Sequence, residues 1–370
     1  MRSGEIVVES AVKWLGGVQE APFFCWVHLF DPHAPYEGHA ERFGEQFAAN
    51  PYDGDIAFVD LQVEALRKQL EEAGVDDDTL IIIAGDHGEG FGEHDELEHG
   101  FLLYNSTLRV PLIVSSPRAQ QPGHREAAPV SLVDVLPSVL DCLEIPATGR
   151  FGGASFKPAL DGQPIEPRTC YSETVAAFAA YGWAPLKSIT TADWKYIETT
   201  RSELYDLHSD PGELQNVLTA QPEQSAAMQR LLADVQSQMV EAPVSDVALT
   251  DAERRALESL GYVHGKASPA AAGETLRDVK DEIGAYNAEI AARKQLSKGQ
   301  ADLAIAALQK LVVDHPSYMP GRLTLGAAFQ SQNRLDEAQA TYEEALRVDP
   351  HSHNAQFDLA QLLTGRRCCD

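Results

Sequence analysis

Nine carboxylate and imidazole side chains crowd residues 86–99: Asp86, His87, Glu89, Glu93, His94, Asp95, Glu96, Glu98 and His99. Oxygen and imidazole donors at this density suit a divalent cation and the acid–base chemistry a cation supports. Glycines at 85, 88, 90 and 92 are expected to keep the loop tight and let backbone approach a ligand. A second candidate stretch is Asp31-Pro32-His33-Ala34-Pro35-Tyr36, a proline-locked loop behind an apolar run, which offers His28 or His33.

Such side chains need rigid elements to aim them. Residues 80–83 are four consecutive large apolar residues, three of them β-branched, ahead of Gly85. So short a run bounded by turn residues predicts a buried parallel strand, which delivers Asp86 and His87 at its carboxyl end, where open α/β sheets bind ligands. Residues 23–30 read as a central strand and 109–114 as a further one. Helices are expected over 5–16, from about 56 to 72 with a stripe of Ile56, Val59, Val63, Leu66 and Leu70, and over 130–143. Alternating strands and helices predict a three-layer α/β domain. Asp86 and His87 should then lie at the edge of a central parallel strand, with His33 and His99 facing the same cleft. From about 150 the pattern changes to short strands near 168–174, 187–191 and 194–198, then a strand and turn over 203–216, which predict a small antiparallel sheet followed by a helix over 222–239.

Gly-Asp-His-Gly-Glu at 85–89, Gly-Glu-His at 92–94 and His-Gly-Phe-Leu-Leu-Tyr-Asn-Ser-Thr-Leu-Arg-Val-Pro-Leu-Ile at 99–113 resemble the second metal motif of the sulfatases, within the alkaline phosphatase superfamily. The resemblance extends over most of 1–240, and 203–216 resembles the close of a sulfatase C-terminal subdomain. It implies a sulfatase/alkaline-phosphatase-like core and hydrolysis of a sulfate ester by attack on sulfur. It also implies Asp86 and His87 as metal ligands, His33 as a sulfate contact, and His99 at the position of a substrate-side lysine, able to donate a hydrogen bond or protonate the leaving oxygen. His94 is a weaker substrate-binding candidate. The cofactor implied is a divalent metal, calcium first, with manganese or zinc as alternatives.

Two family elements have no counterpart here. No Cys or Ser lies in the Cys/Ser-x-Pro-x-Arg stretch that yields the formylglycine nucleophile, and the paired aspartates of the family's first strand are absent. The expectation is a sulfatase C-terminal portion whose N-terminal part, with its formylglycine, is missing, and which alone does not turn over sulfate esters. Two other readings stay open. One is a phosphodiesterase or phosphoethanolamine transferase of the same superfamily, since Asp-His-Gly-Glu serves phosphorus chemistry too. The other is a non-catalytic interaction protein.

The interaction reading comes from the C-terminal region. Pro316 and Pro350 are 34 residues apart, the tetratricopeptide period. Leu325, Gly326, Phe329, Ala338, Tyr342 and Ala345 fall on that pattern; Ala291, Ala292, Ala304, Leu308 and Leu311 do so one period earlier, and Leu359, Ala360 and Leu363 begin a third unit near His353. The organisation expected is an α/β core over 1–150, a small subdomain over 151–240, a linker over 241–280 interrupted by a helix at 251–260, and repeats over 281–370. The repeats would form an all-α solenoid separate from the core and binding a protein or peptide partner.

Composition bounds these readings. At 370 residues the chain can hold two domains. Acids outnumber bases 56 to 29, a net charge of −27, which argues against a nucleic-acid partner because phosphates need Lys and Arg. Five cysteines at 25, 142, 170, 368 and 369 have no zinc-finger or disulfide-framework spacing. No apolar run approaches the ~20 residues of a membrane span. The opening residues are not a signal peptide, and a periplasmic or membrane-attached location depends on any upstream segment.

Overall fold

The computed structural model describes residues 2–17, 22–239 and 276–367; the expected helix at 251–260, most of the 241–280 linker and Cys368-Cys369 lie outside them. The chain forms two compact units. The first comprises Met1–Gly85, Pro111–Glu126 and Val133–Ile165, and the second Asp86–Val110, Ala127–Leu132 and Glu166–Asp370.

In the first unit, helix α1 (Gly4–Leu15) packs on helix α2 (Pro51–Ala73), which opens with proline in its first turn and closes at Gly74 in the left-handed region. The apolar stripe foreseen for α2 is only partly the face it buries. Gly54, Asp55, Phe58, Gln62 and Leu70 are buried, while Ile56 is exposed. The cause is a polar demand: the Asp55 carboxylate accepts hydrogen bonds from Gly38 N at 2.7 Å and Glu37 N at 3.2 Å, rotating that side of the helix inward.

Strand β1 (Ile81–Ala84) pairs with β2 (Leu112–Ser115), Ile81 opposite Ser115, and the pair is antiparallel. The expected central parallel strand is thus a half-buried antiparallel one. A parallel return needs a crossover element, and between 85 and 111 the chain has only single turns of helix, so it comes back alongside itself. Residues 23–30, also expected as a central strand, have no ladder partner among the described residues. Phe24 and Trp26 are 80% and 81% exposed. An apolar, β-branched or aromatic run becomes a strand only where a neighbour accepts its backbone bonds. The helix expected over 130–143 shortens to α3 (Val135–Cys142), preceded by one 3₁₀ turn at Leu132–Asp134.

The second unit is built on an antiparallel meander of β3 (Cys170–Thr174), β4 (Leu186–Thr190), β5 (Trp194–Glu198) and β6 (Glu203–Asp206), with a short helix α4 (Ala176–Tyr181) between the first two. Alternation along its strands feeds two cores. Ile189, Tyr196 and Leu204 face helix α5 (Pro222–Gln238) through Met228 and Leu232. Leu186, Ile197 and Tyr205 face the other way, into a cluster with 101–104 and the C-terminal helices. Lys195, on that second side and fully buried, makes a 2.8 Å ion pair with Glu213 and donates to Asn105 Oδ1 at 3.1 Å.

Among the described residues, five helices complete this unit: α6 (Val279–Ser297), α7 (Ala301–Asp314), α8 (Met319–Ser331), α9 (Leu335–Val348) and α10 (His353–Arg367). Short loops set successive helices antiparallel, and Leu325, Phe329, Ala338, Tyr342 and Ala345 are buried between α8 and α9. The third unit starts at His353 as expected but buries Ala355 and Leu362 rather than Ala360 and Leu363. A separate solenoid was expected. Instead, Tyr286 of α6 meets Phe101 edge-on with ring centroids 4.7 Å apart, and Tyr318 stacks on Trp183 at 6.1 Å, so sheet and helices share one core. Asp278 caps α6 by accepting from Lys280 N at 3.0 Å and also accepts from Thr200 Oγ1 at 2.7 Å. Lys280 pairs with Glu203 at 2.9 Å. No helix among the described residues is long and apolar enough to cross a membrane.

Candidate active site

The loop after β1 belongs to the second unit from Asp86 onward and folds as a narrow double-backed turn. Gly88 N donates to Thr107 O at 2.7 Å, Gly90 N to Glu98 O at 2.8 Å and Gly92 N to Glu96 O at 2.8 Å. Gly90 is required because a Cβ there would stand 2.7 Å from both the Glu96 and Glu98 carbonyl oxygens; at Gly88 it would strike Ser106 O. These glycines let the backbone approach itself, rather than a ligand as the sequence suggested.

This turn brings His87 and His99 together. Their rings stack with centroids 3.8 Å apart and 26° between planes. His87 Nδ1 lies 2.8 Å from Gly88 O, so Nδ1–H is the donor there, and Nε2 lies on the side of Asp86, 3.8 Å from Oδ1. The Asp86 carboxylate is 71% exposed and accepts from His87 N at 3.0 Å. His99 Nδ1 donates to Glu89 Oε1 at 2.9 Å, and Glu89 is buried. Burial alone lowers the proton affinity of the His99 ring. The Glu89 carboxylate against it, with Glu98 and Glu96 nearby, outweighs burial and holds its pKa above the usual histidine value.

Glu96, two residues beyond His94, is buried and accepts from Phe101 N at 2.9 Å and Leu102 N at 3.1 Å through Oε1, while Oε2 has no hydrogen-bond partner. Desolvation pushes its pKa up to about 7 against the pull of the two N–H donors. Glu89, Glu96 and Asp55 are the groups sequence reasoning underused, because a buried carboxylate looks like a solvated one until the chain is folded around it. For Glu89 a signal existed: an acid ten residues before a histidine across a glycine-rich turn can orient it.

His94 goes elsewhere. Its Nε2 is 3.1 Å from Gly212 O, and its ring stacks on Tyr104 at 3.5 Å, so it fastens the loop to the 210–216 turn. That turn is tied in as well, with Asn105 N donating to Glu213 Oε2 at 2.6 Å. His33 lies in the first unit. Its ring stacks on Phe30 at 4.5 Å with Nδ1 2.8 Å from Ala34 O, and Asp31 Oδ1 anchors the loop by accepting from Gly4 N at 2.9 Å. His28, the other candidate there, is exposed.

For a cation, Asp86 and His87 fit as two adjacent donors with the histidine tautomer set correctly. No group of three or more His, Cys, Asp or Glu able to hold an ion is found among the described residues. Two donors are short of the six or more that calcium takes.

Residues 1–145 match the sulfatase family model and residues 92–242 the model for the C-terminal region of N-sulphoglucosamine sulphohydrolase. The chain is 25% identical over 296 residues to an ulvan-active sulfatase of Formosa agariphila, covering 71% of this chain and 56% of that protein. It is 30% identical over 177 residues to an N-acetylglucosamine-6-O-sulfatase of Bacteroides thetaiotaomicron, covering 45% and 31%. The chain thus spans about a third to a half of the length of the curated relatives it matches. In fold it is similar to the phosphonate monoester hydrolase of Agrobacterium radiobacter, with a TM-score of 0.54 at 21% identity, over 68% of this chain and 65% of that one. The motif loop and these two overlapping model matches make residues 1–242 similar to the sulfatase family.

Proposed function

We propose that this chain serves the metal-dependent hydrolysis of a sulfate ester. The observation that carries the reading is the Asp86–His87 pair set beside a histidine that is stacked on it and oriented by a buried carboxylate. Asp86 and His87 Nε2 would hold one side of a divalent cation, calcium in the first instance. When bound, the cation would withdraw charge from the sulfate oxygens. His99 presents its second ring nitrogen, Nε2, while Glu89 holds Nδ1–H. With its pKa raised, His99 is protonated more often than an ordinary histidine near neutrality and can give a proton to the leaving oxygen. His33 keeps the sulfate contact that the family resemblance gives it, while the Gly212 and Tyr104 contacts of His94 support a loop-fastening role over substrate binding. The relatives named for ulvan and N-acetylglucosamine-6-O-sulfate make a sulfated carbohydrate the substrate class to try first.

The C-terminal helices are read as tetratricopeptide repeats open to a protein or peptide partner. The support is the 34-residue spacing of Pro316 and Pro350, and the burial of the small and aromatic positions that this period picks out.

The test is binding before turnover. Manganese should broaden the His87 ring resonances of the full chain, and Asp86→Ala should weaken the effect at least tenfold. The 370-residue chain, with no nucleophile stretch in its sequence, should not hydrolyse a chromogenic aryl sulfate in calcium at an enzymatic rate. Cation binding indifferent to Asp86→Ala, or robust turnover that survives it, overturns the reading.

A further inference from the structure

We infer that Tyr286 and Asn287, on helix α6 beyond the family-matched residues, are positioning residues that hold the 93–99 turn in the shape that presents His99. This rests on the reading of His99 as a substrate-side group.

The turn is strained. His94 and Asp95 both adopt left-handed backbone, with φ of 54° and 64°. A non-glycine residue there is strained and persists only where the surroundings over-determine it. The loop's own bonds supply part of that constraint, through Gly90, Gly92 and the Glu96 carboxylate. The rest comes from α6. Asn287 Nδ2 donates to the carbonyl of Asp95 at 2.5 Å, one of the two left-handed residues. Tyr286 Oη donates to Glu98 Oε2 at 3.2 Å, on the residue whose backbone carbonyl closes onto Gly90 and whose neighbour is His99. The Tyr286 ring also meets Phe101 edge-on, and Phe101 N is bound to Glu96.

One helix thus grips the turn at its strained point, at the residue before His99 and at the aromatic residue two beyond it. It is fixed independently, by the Asp278 cap, the Lys280–Glu203 pair and the shared core. The grip therefore transmits the position of the helical stack to the loop.

Nuclear magnetic resonance on the full-length chain tests this. One readout is the downfield Nδ1–H signal of His99, the signature of its bond to Glu89. The other is amide exchange at Gly90 and Gly92. In the Tyr286→Phe/Asn287→Ala double variant the His99 signal should broaden or vanish, and exchange at both glycines should rise about tenfold, the loss of one to two hydrogen bonds. Tyr318→Phe is the control. It removes a hydroxyl bonded to Glu289 in the same stack, without touching the loop, and should leave both readouts as in the wild type. If the double variant does not fold, Tyr286→Phe alone, which keeps the ring in the core, should show a smaller effect of the same kind. Unchanged readouts in the folded variants, or an equal effect from Tyr318→Phe, overturn the inference. Loss of cation binding in Asp86→Ala bears on the proposed function alone, because the loop signals are read without metal.

Discussion

At the residue scale, carboxylates decide how the loop stands, and Glu96 does so with a cost that depends on pH. Its folded pKa, about 7, lies above the ordinary value of 4.5. The folded chain therefore keeps a proton that the unfolded chain releases. The favourable contribution is complete below about 4.5 and is lost as pH rises through about 7. The penalty is on the order of 1–3 kcal/mol. Glu96→Gln keeps an oxygen for Phe101 N and Leu102 N but cannot ionise. Urea midpoints of wild type and variant, taken from about pH 4.5 to 8, should diverge in favour of the variant as pH rises and then run parallel. A gap that stays constant through that window would mean the Glu96 proton is held no more tightly folded than unfolded. Asp55 shows the same logic in the first unit: burial raises its pKa, and the two backbone donors of the 37–38 turn offset only part of that.

At the element scale, periodicity was legible wherever an element carries its own reason to exist. Helices α1 and α5 and the four-stranded meander stand within a residue or two of their expected limits, and α2 ends where expected but begins five residues earlier, at Pro51, because caps, prolines, glycines and alternating apolar residues mark them locally. Phe24 and Trp26 mark the opposite case, an apolar run whose state depends on a neighbour the run cannot name. The α8–α9 pair tests close approach directly. A Cβ on Gly326 would sit on the Tyr342 ring, which is buried with no room to retreat. Gly326→Ala should therefore destabilise the helical stack by roughly 1–3 kcal/mol despite the better helix propensity of alanine. Chemical denaturation monitored through the helices should show this, and a neutral or stabilising result would mean the two helices can part without loss.

At the scale of the whole molecule, the C-terminal helices do not behave as an appendage to the sheet. Phe101, Tyr181 and Trp183 meet Tyr286 and Tyr318 in a single cluster. Cutting the chain after residue 242 would uncover these rings, at about 1.5–3 kcal/mol for each side chain returned to water, against a total stability of about 5–15 kcal/mol. The shortened chain should bind a hydrophobic dye and lose amide protection at 101–104. A shortened chain with native protection there would show that the helices lean on the sheet without supporting it. The same construction explains why residues outside the family-matched segment reach the motif loop.

Sequence by itself determined the chemistry on offer and where in the chain it sits, since Asp86, His87, His99 and the glycines between them are local in sequence. It also determined the meander and the paired helices, whose hydrophobic periods and turns are local too. Tertiary structure alone decided the partners. It turned β1 antiparallel because no crossover element follows it, and it sent His94 to the Gly212 carbonyl. It set Glu89 behind His99 and brought Asn287 to Asp95 across 192 positions of chain. Contacts of that range follow from how cores and backbone donors are satisfied together, which no window of sequence contains.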